Sequence, residues 1–288
     1  METEHPGARS VQLRGWLISH RYLLLRRFSQ LGILALFWAG TALGWPLLQG
    51  NLSSSSVLGT VPLSDPFVFA QLLAAGHRPE LTAIIGVVLV IAGYALVGGR
   101  LFCSWVCPVN IVTDTAAWLR RKLGLVKTSQ LSPQLRYWLL AMTLLLPLFS
   151  GYMVWELVNP VSLLQRGLIF GISGGWSLIG LIFLFDLFIT QRGWCRHICP
   201  HGALYSLIGR ASVVRITAPQ RERCDDCMDC YKVCPEPQVL KPVLKGEKTG
   251  VAPVILDSNC TNCGRCIDVC AVDVFKPGTR FATEVGKK

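Results

Sequence analysis

Residues 224–235 read Cys-Asp-Asp-Cys-Met-Asp-Cys-Tyr-Lys-Val-Cys-Pro, and residues 260–271 read Cys-Thr-Asn-Cys-Gly-Arg-Cys-Ile-Asp-Val-Cys-Ala. Each run places three cysteines two residues apart and a fourth after a gap of three. This is the bacterial spacing for a pair of 4Fe–4S clusters. A cubane needs four thiolates around one compact body. Two-residue gaps let three consecutive sulfurs curl round one face of it, and the fourth comes from the distant run. The expected ligand sets are therefore crossed: Cys224, Cys227, Cys230 and Cys270 for one cluster, and Cys260, Cys263, Cys266 and Cys234 for the other. Structural zinc fits poorly, because its sites draw on separated pairs to build a single tetrahedron. A disulfide framework would need an oxidising compartment. Ala271 stands where the first run has Pro235, but proline shapes the turn and ligates nothing.

Outward from these runs the chain is apolar. Of 288 residues, 51% are hydrophobic and only 16% charged, with a net charge of +11 and a mean hydropathy of +0.45. Such a composition points to a membrane chain. Four apolar stretches approach the roughly 20 residues that a bilayer requires: 29–48, 81–99, 135–155 and 168–190. Trp45, Trp155 and Trp194 sit at their ends, as interfacial aromatics do. Basic residues alternate along the chain. Arg9, Arg14, Arg21, Arg26 and Arg27 precede the first stretch, and Arg78 stands alone in the loop 49–80. Arg100, Arg136 and Arg120-Arg121-Lys122 flank the middle, and Arg166 stands alone in 156–167. The positive-inside rule then predicts four transmembrane helices in a bacterial inner membrane, with both termini and the clusters cytoplasmic. The first stretch reads as a retained helix with a basic flank, not as a cleaved leader.

The other four cysteines form a repeat. Residues 100–108 and 192–200 both read Arg-x2-Cys-x3-Cys-Pro, carrying Cys103 and Cys107, then Cys195 and Cys199. Each copy follows an even-numbered stretch, so a two-helix unit reads as duplicated in parallel. Cysteines at i and i+4 share one helix face, and the following proline discourages helix from continuing. Such a set could bind a further metal, form redox-active disulfides or simply pack. It is no haem site, since Cys-x-x-Cys-His is absent. His197 and His201 flank the second copy only. Asp186 is an acid inside an apolar run, which is costly unless it faces other helices or a cavity. Asp186 and Glu156 are the candidate proton-handling carboxylates. Residues 235–259, between the cysteine runs, read as a long loop offering a partner surface.

These motifs resemble the ferredoxin-type membrane quinol dehydrogenases of the NapH family, which serve periplasmic nitrate reductase. The resemblance rests on the two Cys-x3-Cys-Pro repeats, both cysteine runs, Trp155-Glu156 with Asn159-Pro160-Val161-Ser162-Leu163, and Arg223-Cys224 through Cys234-Pro235-Glu236-Pro237. It implies oxidation of a membrane quinol, menaquinol or ubiquinol. Electrons would pass towards periplasmic nitrate reductase through a periplasmic ferredoxin-type subunit and c-type cytochromes. No nucleic-acid partner is expected. Related proteins of methylamine and nitrous oxide systems share the repeats. A rival reading is a maturation or regulatory protein that uses its clusters to reduce disulfides or metal ions during metalloenzyme assembly. The expected organisation is a basic cytoplasmic segment over 1–28, a four-helix transmembrane domain over 29–201, and an α+β ferredoxin-like domain holding the two clusters over 202–288.

Overall fold

A computed structural model of the chain describes residues 5–45, 47–125, 129, 131–171, 174–247 and 250–282. In chain order its helices are α1 (Ala8–Arg14), α2 (Trp16–Ser19), α3 (Arg21–Ala42), α4 (Pro66–Ala74), α5 (Leu81–Val97), α6 (Leu101–Trp105), α7 (Val109–Lys122), α8 (Leu135–Ser150), α9 (Val154–Val158), α10 (Pro160–Phe170), α11 (Gly175–Phe188), α12 (Pro200–Ile208), α13 (Asp229–Val233), α14 (Leu240–Lys245) and α15 (Arg265–Val269). The strands are β1 (Leu48–Gly50), β2 (Ser54–Val57), β3 (Val61–Ser64), β4 (Val214–Thr217) and β5 (Lys276–Thr279).

The four transmembrane helices expected from the apolar stretches are corrected here. Among the described residues no helix is long and apolar enough to cross a membrane. The first stretch falls in α3, whose 22 residues begin at Arg21 and include Arg26, Arg27 and Gln30. The other three helices have 17, 16 and 14 residues, short of the roughly 20 needed. The physical reason lies in the breaks. Gly151, at φ 70°, ends α8 at Ser150, so the apolar run resumes only as the separate short α9. Gly171, at φ 93°, ends α10, and α11 starts afresh at Gly175. These left-handed positions are ones glycine adopts without strain and helices use to stop. Residues 172 and 173, inside the fourth stretch, lie outside the described residues. The multi-pass inner-membrane localisation falls with the spans, because a Lys/Arg alternation orients a chain only when helices cross.

The chain divides into two compact units. One comprises the described residues of Met1–Ser29, Tyr94–Trp105 and Ser206–Lys288. Its two-stranded antiparallel sheet pairs Val214 with Thr279 and Thr217 with Lys276, so the two ends of the cysteine-rich region meet. Ile216, Val239, Leu240, Val243, Ile255, Ile267 and Phe275 form its core. Four of these residues, Val239, Leu240, Val243 and Ile255, lie in the segment 235–259. The segment thus contributes side chains to the core as well as exposed residues such as Lys241, Lys245 and Leu256. The N-terminal segment belongs to this unit and packs on α15. Ser10 Oγ donates to Asp268 O (2.8 Å), and Arg14 Nη1 to Cys270 O (2.6 Å). The Asp268 carboxylate accepts the backbone N–H groups of Tyr22 (3.2 Å) and Leu23 (3.0 Å). An anion there satisfies orphan donors in the first turn of α3.

The second unit holds Gln30–Gly93 and Val106–Tyr205. Here the serine-rich loop 49–80 is a three-stranded antiparallel meander, β1-β2-β3, followed by α4. Asp65 caps α4 by accepting the Phe67 N–H (2.7 Å), with Pro66 at the first helical position, where its missing N–H costs nothing. α4 packs on α8, and α7 on α11. Phe67, Leu140, Trp155 and Ala203 make one core cluster, and Val109, Val161 and Ile182 another.

Candidate functional site

The two cysteine runs fold alike, 36 residues apart. Asp226 (φ 56°) and Asn262 (φ 47°) each follow the first cysteine by two residues in the left-handed conformation. Met228 (φ 62°) and Gly264 (φ 72°) do the same just before α13 and α15. Asp226 and Asn262 both turn a side-chain oxygen onto the first cysteine of their run: Cys224 Sγ to Asp226 Oδ1 is 3.6 Å, and Cys260 Sγ to Asn262 Oδ1 is 3.5 Å. Asx residues tolerate that backbone region because their short side chain bonds locally. The left-handed residues bend each loop in the same way. The fourth cysteine follows the short helix, Cys234 after α13 and Cys270 after α15.

Thiols of the two runs act on one another. Burial pushes the Cys230 thiol up to about 12, and the charges of Cys227, Cys224 and Cys270 add to it. Cys266 is raised well above the ordinary thiol by burial and then by Cys263, Cys234, Cys260 and Cys230. Cys260 is pushed up to about 12, chiefly by burial. A cavity in this unit is walled by Cys234, Cys260, Cys263 and Cys266, with Ile216, Val239, Leu240 and Ile255 behind them. Four crowded thiols resist ionising together, so taking up iron must displace protons. Cys263 is the exception. Burial raises it, but the guanidiniums of Arg265 and Arg26 bring it down to about 7. Among the described residues no three His, Cys, Asp or Glu side chains are grouped for a single metal ion. The cysteine sets instead suit a larger body held from its rim, and in donor type, number and surrounding shape they fit 4Fe–4S clusters. Such clusters, when bound, supply one-electron transfer.

Around the second loop the chain ties off carbonyls. In the first repeat Arg100 is ion-paired with Glu236 (2.5 Å, both side chains 1% exposed) and also donates to Asn259 O (3.0 Å). Ser104 Oγ donates to Thr261 O (2.7 Å), and Trp105 Nε1 to Asn262 O (3.1 Å). The repeat carrying Cys103 thus grips the loop from Asn259 to Asn262. Cys103, Cys107, Cys195 and Cys199 are each half-buried thiols. Cys107 and Cys199 end their turns, while Pro108 and Pro200 open α7 and α12. The prolines therefore start helices as well as stopping them. The second copy is a π-helical turn, Trp194–Ile198, a form frequent at functional sites. Its arginine, Arg192, pairs with Asp114 (3.1 Å) inside the unit.

Asp186 is fully buried. Its Oδ1 accepts the Trp194 N–H (3.0 Å), which begins the π-helical turn. Burial raises its carboxyl from 3.8 to about 7, with the Trp194 N–H and Arg192 opposing. Glu156 accepts from Asn159 Nδ2 (2.8 Å) and Ser162 Oγ (3.0 Å), and Asn159 in turn caps α10. His201 is buried on Asp65 (2.9 Å). No sequence pattern assigns these roles to Glu236, Arg26, Arg265 or Asp268. Only Asp65-Pro66 before an apolar run announces its role, as a helix start.

The geometry and the comparisons with known proteins agree. A family model described as a 4Fe–4S dicluster domain matches residues 223–274. A second, described as a 4Fe–4S binding domain, matches twice, over 80–125 and 172–219, each match spanning one repeat. The fold and these matches define a ferredoxin-type iron–sulfur electron-transfer protein. Among its relatives, the ferredoxin-type protein NapH of Haemophilus influenzae is 50% identical over 96% of both chains. NapH of Escherichia coli is 45% identical over 96% of both. The methylamine utilization ferredoxin-type protein MauN of Methylorubrum extorquens is 49% identical over 93% of both. The chain belongs to this NapH family of ferredoxin-type proteins. No solved structure matches it.

Proposed function

We propose that the chain oxidises a quinol, menaquinol or ubiquinol, and passes the electrons towards a periplasmic nitrate reductase. In this reading Cys224, Cys227, Cys230 and Cys270 hold one 4Fe–4S cluster, and Cys260, Cys263, Cys266 and Cys234 the other. The observation that supports it is that Cys234 of the first run lines one cavity with Cys260, Cys263 and Cys266 of the second. Interlocked sets hold two one-electron centres in one domain, which suits a two-electron donor such as a quinol. The family membership supports a place in the electron transfer of the nitrate reductase system. A ferredoxin-type subunit and c-type cytochromes are the proposed acceptors. Cys103, Cys107, Cys195 and Cys199 are proposed to serve the electron transfer as redox thiols or ligands, supported by the double match of the 4Fe–4S binding model across both repeats. Asp186 and Glu156 are the carboxylates proposed to handle protons.

The test is anaerobic. The cluster-loaded protein is mixed with menadiol, a menaquinol analogue, and cluster reduction is followed by EPR. Reduction of both clusters is expected. If dithionite reduces them and menadiol does not, the quinol reading is wrong. The alternative, a redox protein for metalloenzyme assembly, then takes its place. One observation favours that alternative: the methylamine utilization relatives match as well as the NapH proteins do, so the shared role need not be tied to one terminal reductase.

A further inference from the structure

The two cysteine loops fold alike but differ in charge and in access to water. Residues 224–230 read Cys-Asp-Asp-Cys-Met-Asp-Cys, and residues 260–266 read Cys-Thr-Asn-Cys-Gly-Arg-Cys. The first loop faces solvent: Asp225, Asp226, Cys227 and Met228 are all exposed. The second is interior: Cys263, Arg265 and Cys266 are all buried. Arg265 lines the cavity that Cys260, Cys263 and Cys266 share. A second guanidinium reaches the same loop from α3. Tyr22 lies against Gly264, where an added Cβ would meet its Cγ at 2.3 Å. The Asp268 carboxylate holds the N–H groups of Tyr22 and Leu23, which fixes the first turn of α3 over the loop. Arg26, one turn further on and 1% exposed, donates through Nε to Tyr22 O (3.2 Å). The guanidiniums of Arg265 and Arg26 both act on Cys263. The charges acting on Cys227 are instead the carboxylates of Asp225 and Asp229.

We propose that Arg265 and Arg26 set the reduction potential of the cluster held by Cys260, Cys263 and Cys266, making it the preferred seat of the electron within the pair. A cluster on four thiolates is already negative and gains one more negative charge on reduction. A cation fixed beside it therefore stabilises the reduced form, and net charge and solvent exposure are the levers that set such potentials. Two effects oppose each other at the second loop. Burial alone disfavours the added electron. The same burial leaves the guanidiniums poorly screened, at an effective dielectric of roughly 20 against roughly 80 in water. The carboxylates of the first loop are exposed and screened, and Lys245 offsets Asp226 there. Asp268 answers one of the two guanidiniums at the second loop, so one net positive charge remains against Cys263. The electron then moves from the solvent-facing cluster to the buried one, with no bond made and no proton moved. Neither the electron donor nor the source of each fourth ligand enters this ordering.

The experiment is a redox titration of the full chain, loaded with clusters, with dithionite as reductant and EPR as the readout. Cys227→Ser and Cys263→Ser each alter the signal of one loop and so assign it. In wild type the signal of the Cys260 loop should appear first, at the higher potential. Arg265→Gln should weaken reduction of that cluster roughly tenfold in equilibrium constant, about 59 mV for one electron, and leave the other midpoint in place. Arg26→Gln should move the same midpoint in the same direction by less, since Asp268 answers that guanidinium. Arg265→Lys keeps the charge and should stay close to wild type. Reduction of the Cys224 loop first in wild type would overturn the assignment. So would an unshifted midpoint in Arg265→Gln, a shift of both midpoints alike, or an equal shift in Arg265→Gln and Arg265→Lys. Should Arg265→Gln fail to keep its iron, Arg26→Gln decides: an unshifted midpoint there overturns the assignment. Because dithionite supplies the electrons, failure of the quinol reading would leave these midpoints as they are.

Discussion

Met228 and Gly264 occupy the same place in the two cysteine loops, and both have positive φ. Met228 adopts it without the freedom of glycine, at a cost of about 1–2 kcal/mol. Its side chain is 49% exposed, so little packing is lost on removing it. Met228→Gly should therefore raise stability by about 1 kcal/mol, read as a higher thermal midpoint of the cluster-loaded protein; an unchanged or lower midpoint would count against strain there. The reverse holds at Gly264, where a Cβ would sit 2.3 Å from Tyr22 Cγ, so Gly264→Ala should be severely destabilising. Asp186 gives a pH prediction. Its folded carboxyl lies near 7 against 3.8 in the open chain, so the native state holds the proton more tightly. Stability should then fall as pH rises from about 4 to 7 and level off above, a loss on the order of 4 kcal/mol. Asp186→Asn should remove that slope in urea unfolding at pH 5 and pH 8, and equal slopes for both proteins would refute the assignment. At this scale the sequence offers candidate ligands and says little about their setting. Cysteine spacing encodes which sulfurs can curl together, but no spacing announces that Arg26 lies near enough to hold Cys263 down.

At the scale of elements, α6 and the turn before it act as a clamp on the second cysteine loop. Arg100 and Glu236 are both buried, and Ser104 and Trp105 bond the carbonyls of Thr261 and Asn262. Breaking a buried ion pair by removing one partner strands the other charge and costs about 3–5 kcal/mol. Arg100→Met should therefore destabilise by that amount in urea unfolding, while Arg100→Met with Glu236→Leu should recover most of it. An equal loss in single and double variants would show that the arginine works through Asn259 alone. Ser104→Ala removes one hydrogen bond and should cost about 1 kcal/mol. The sequence displayed the repeat but not this use of it, because pattern matching finds the cysteines and passes over Ser104 and Trp105. The same limit explains the four expected spans. Apolar runs near 20 residues were plain in the composition, yet helix ends are set locally by residues such as Gly151 and Gly171. Hydropathy averages across those stops.

On the scale of the molecule, the cluster-bearing unit gathers three segments far apart in the chain. Periodicity and motifs are local, so the cysteine-rich domain could be read as a block from 202 onward, whereas the packing of Ser10, Arg14, Tyr22 and Leu23 on α15 and Cys270 could not. The proposed crossing of ligands is likewise a long-range property, and it would make each cluster depend on both runs. Cys234 follows α13, beside its own run, yet lines the cavity with Cys260, Cys263 and Cys266. Cys234→Ala should therefore damage the distant cluster and spare the near one. A cubane with three thiolates is open to solvent and loses iron more readily than one with four. About half of the roughly eight irons should be lost, and the remaining EPR signal should be that of the cluster on Cys224, Cys227, Cys230 and Cys270. Cys270→Ala should do the converse. The pair of variants separates crossing from its opposite even without prior assignment of the signals. In the crossed arrangement Cys234→Ala and Cys263→Ala lose the same signal, whereas in the uncrossed one Cys234→Ala shares its loss with Cys227→Ala.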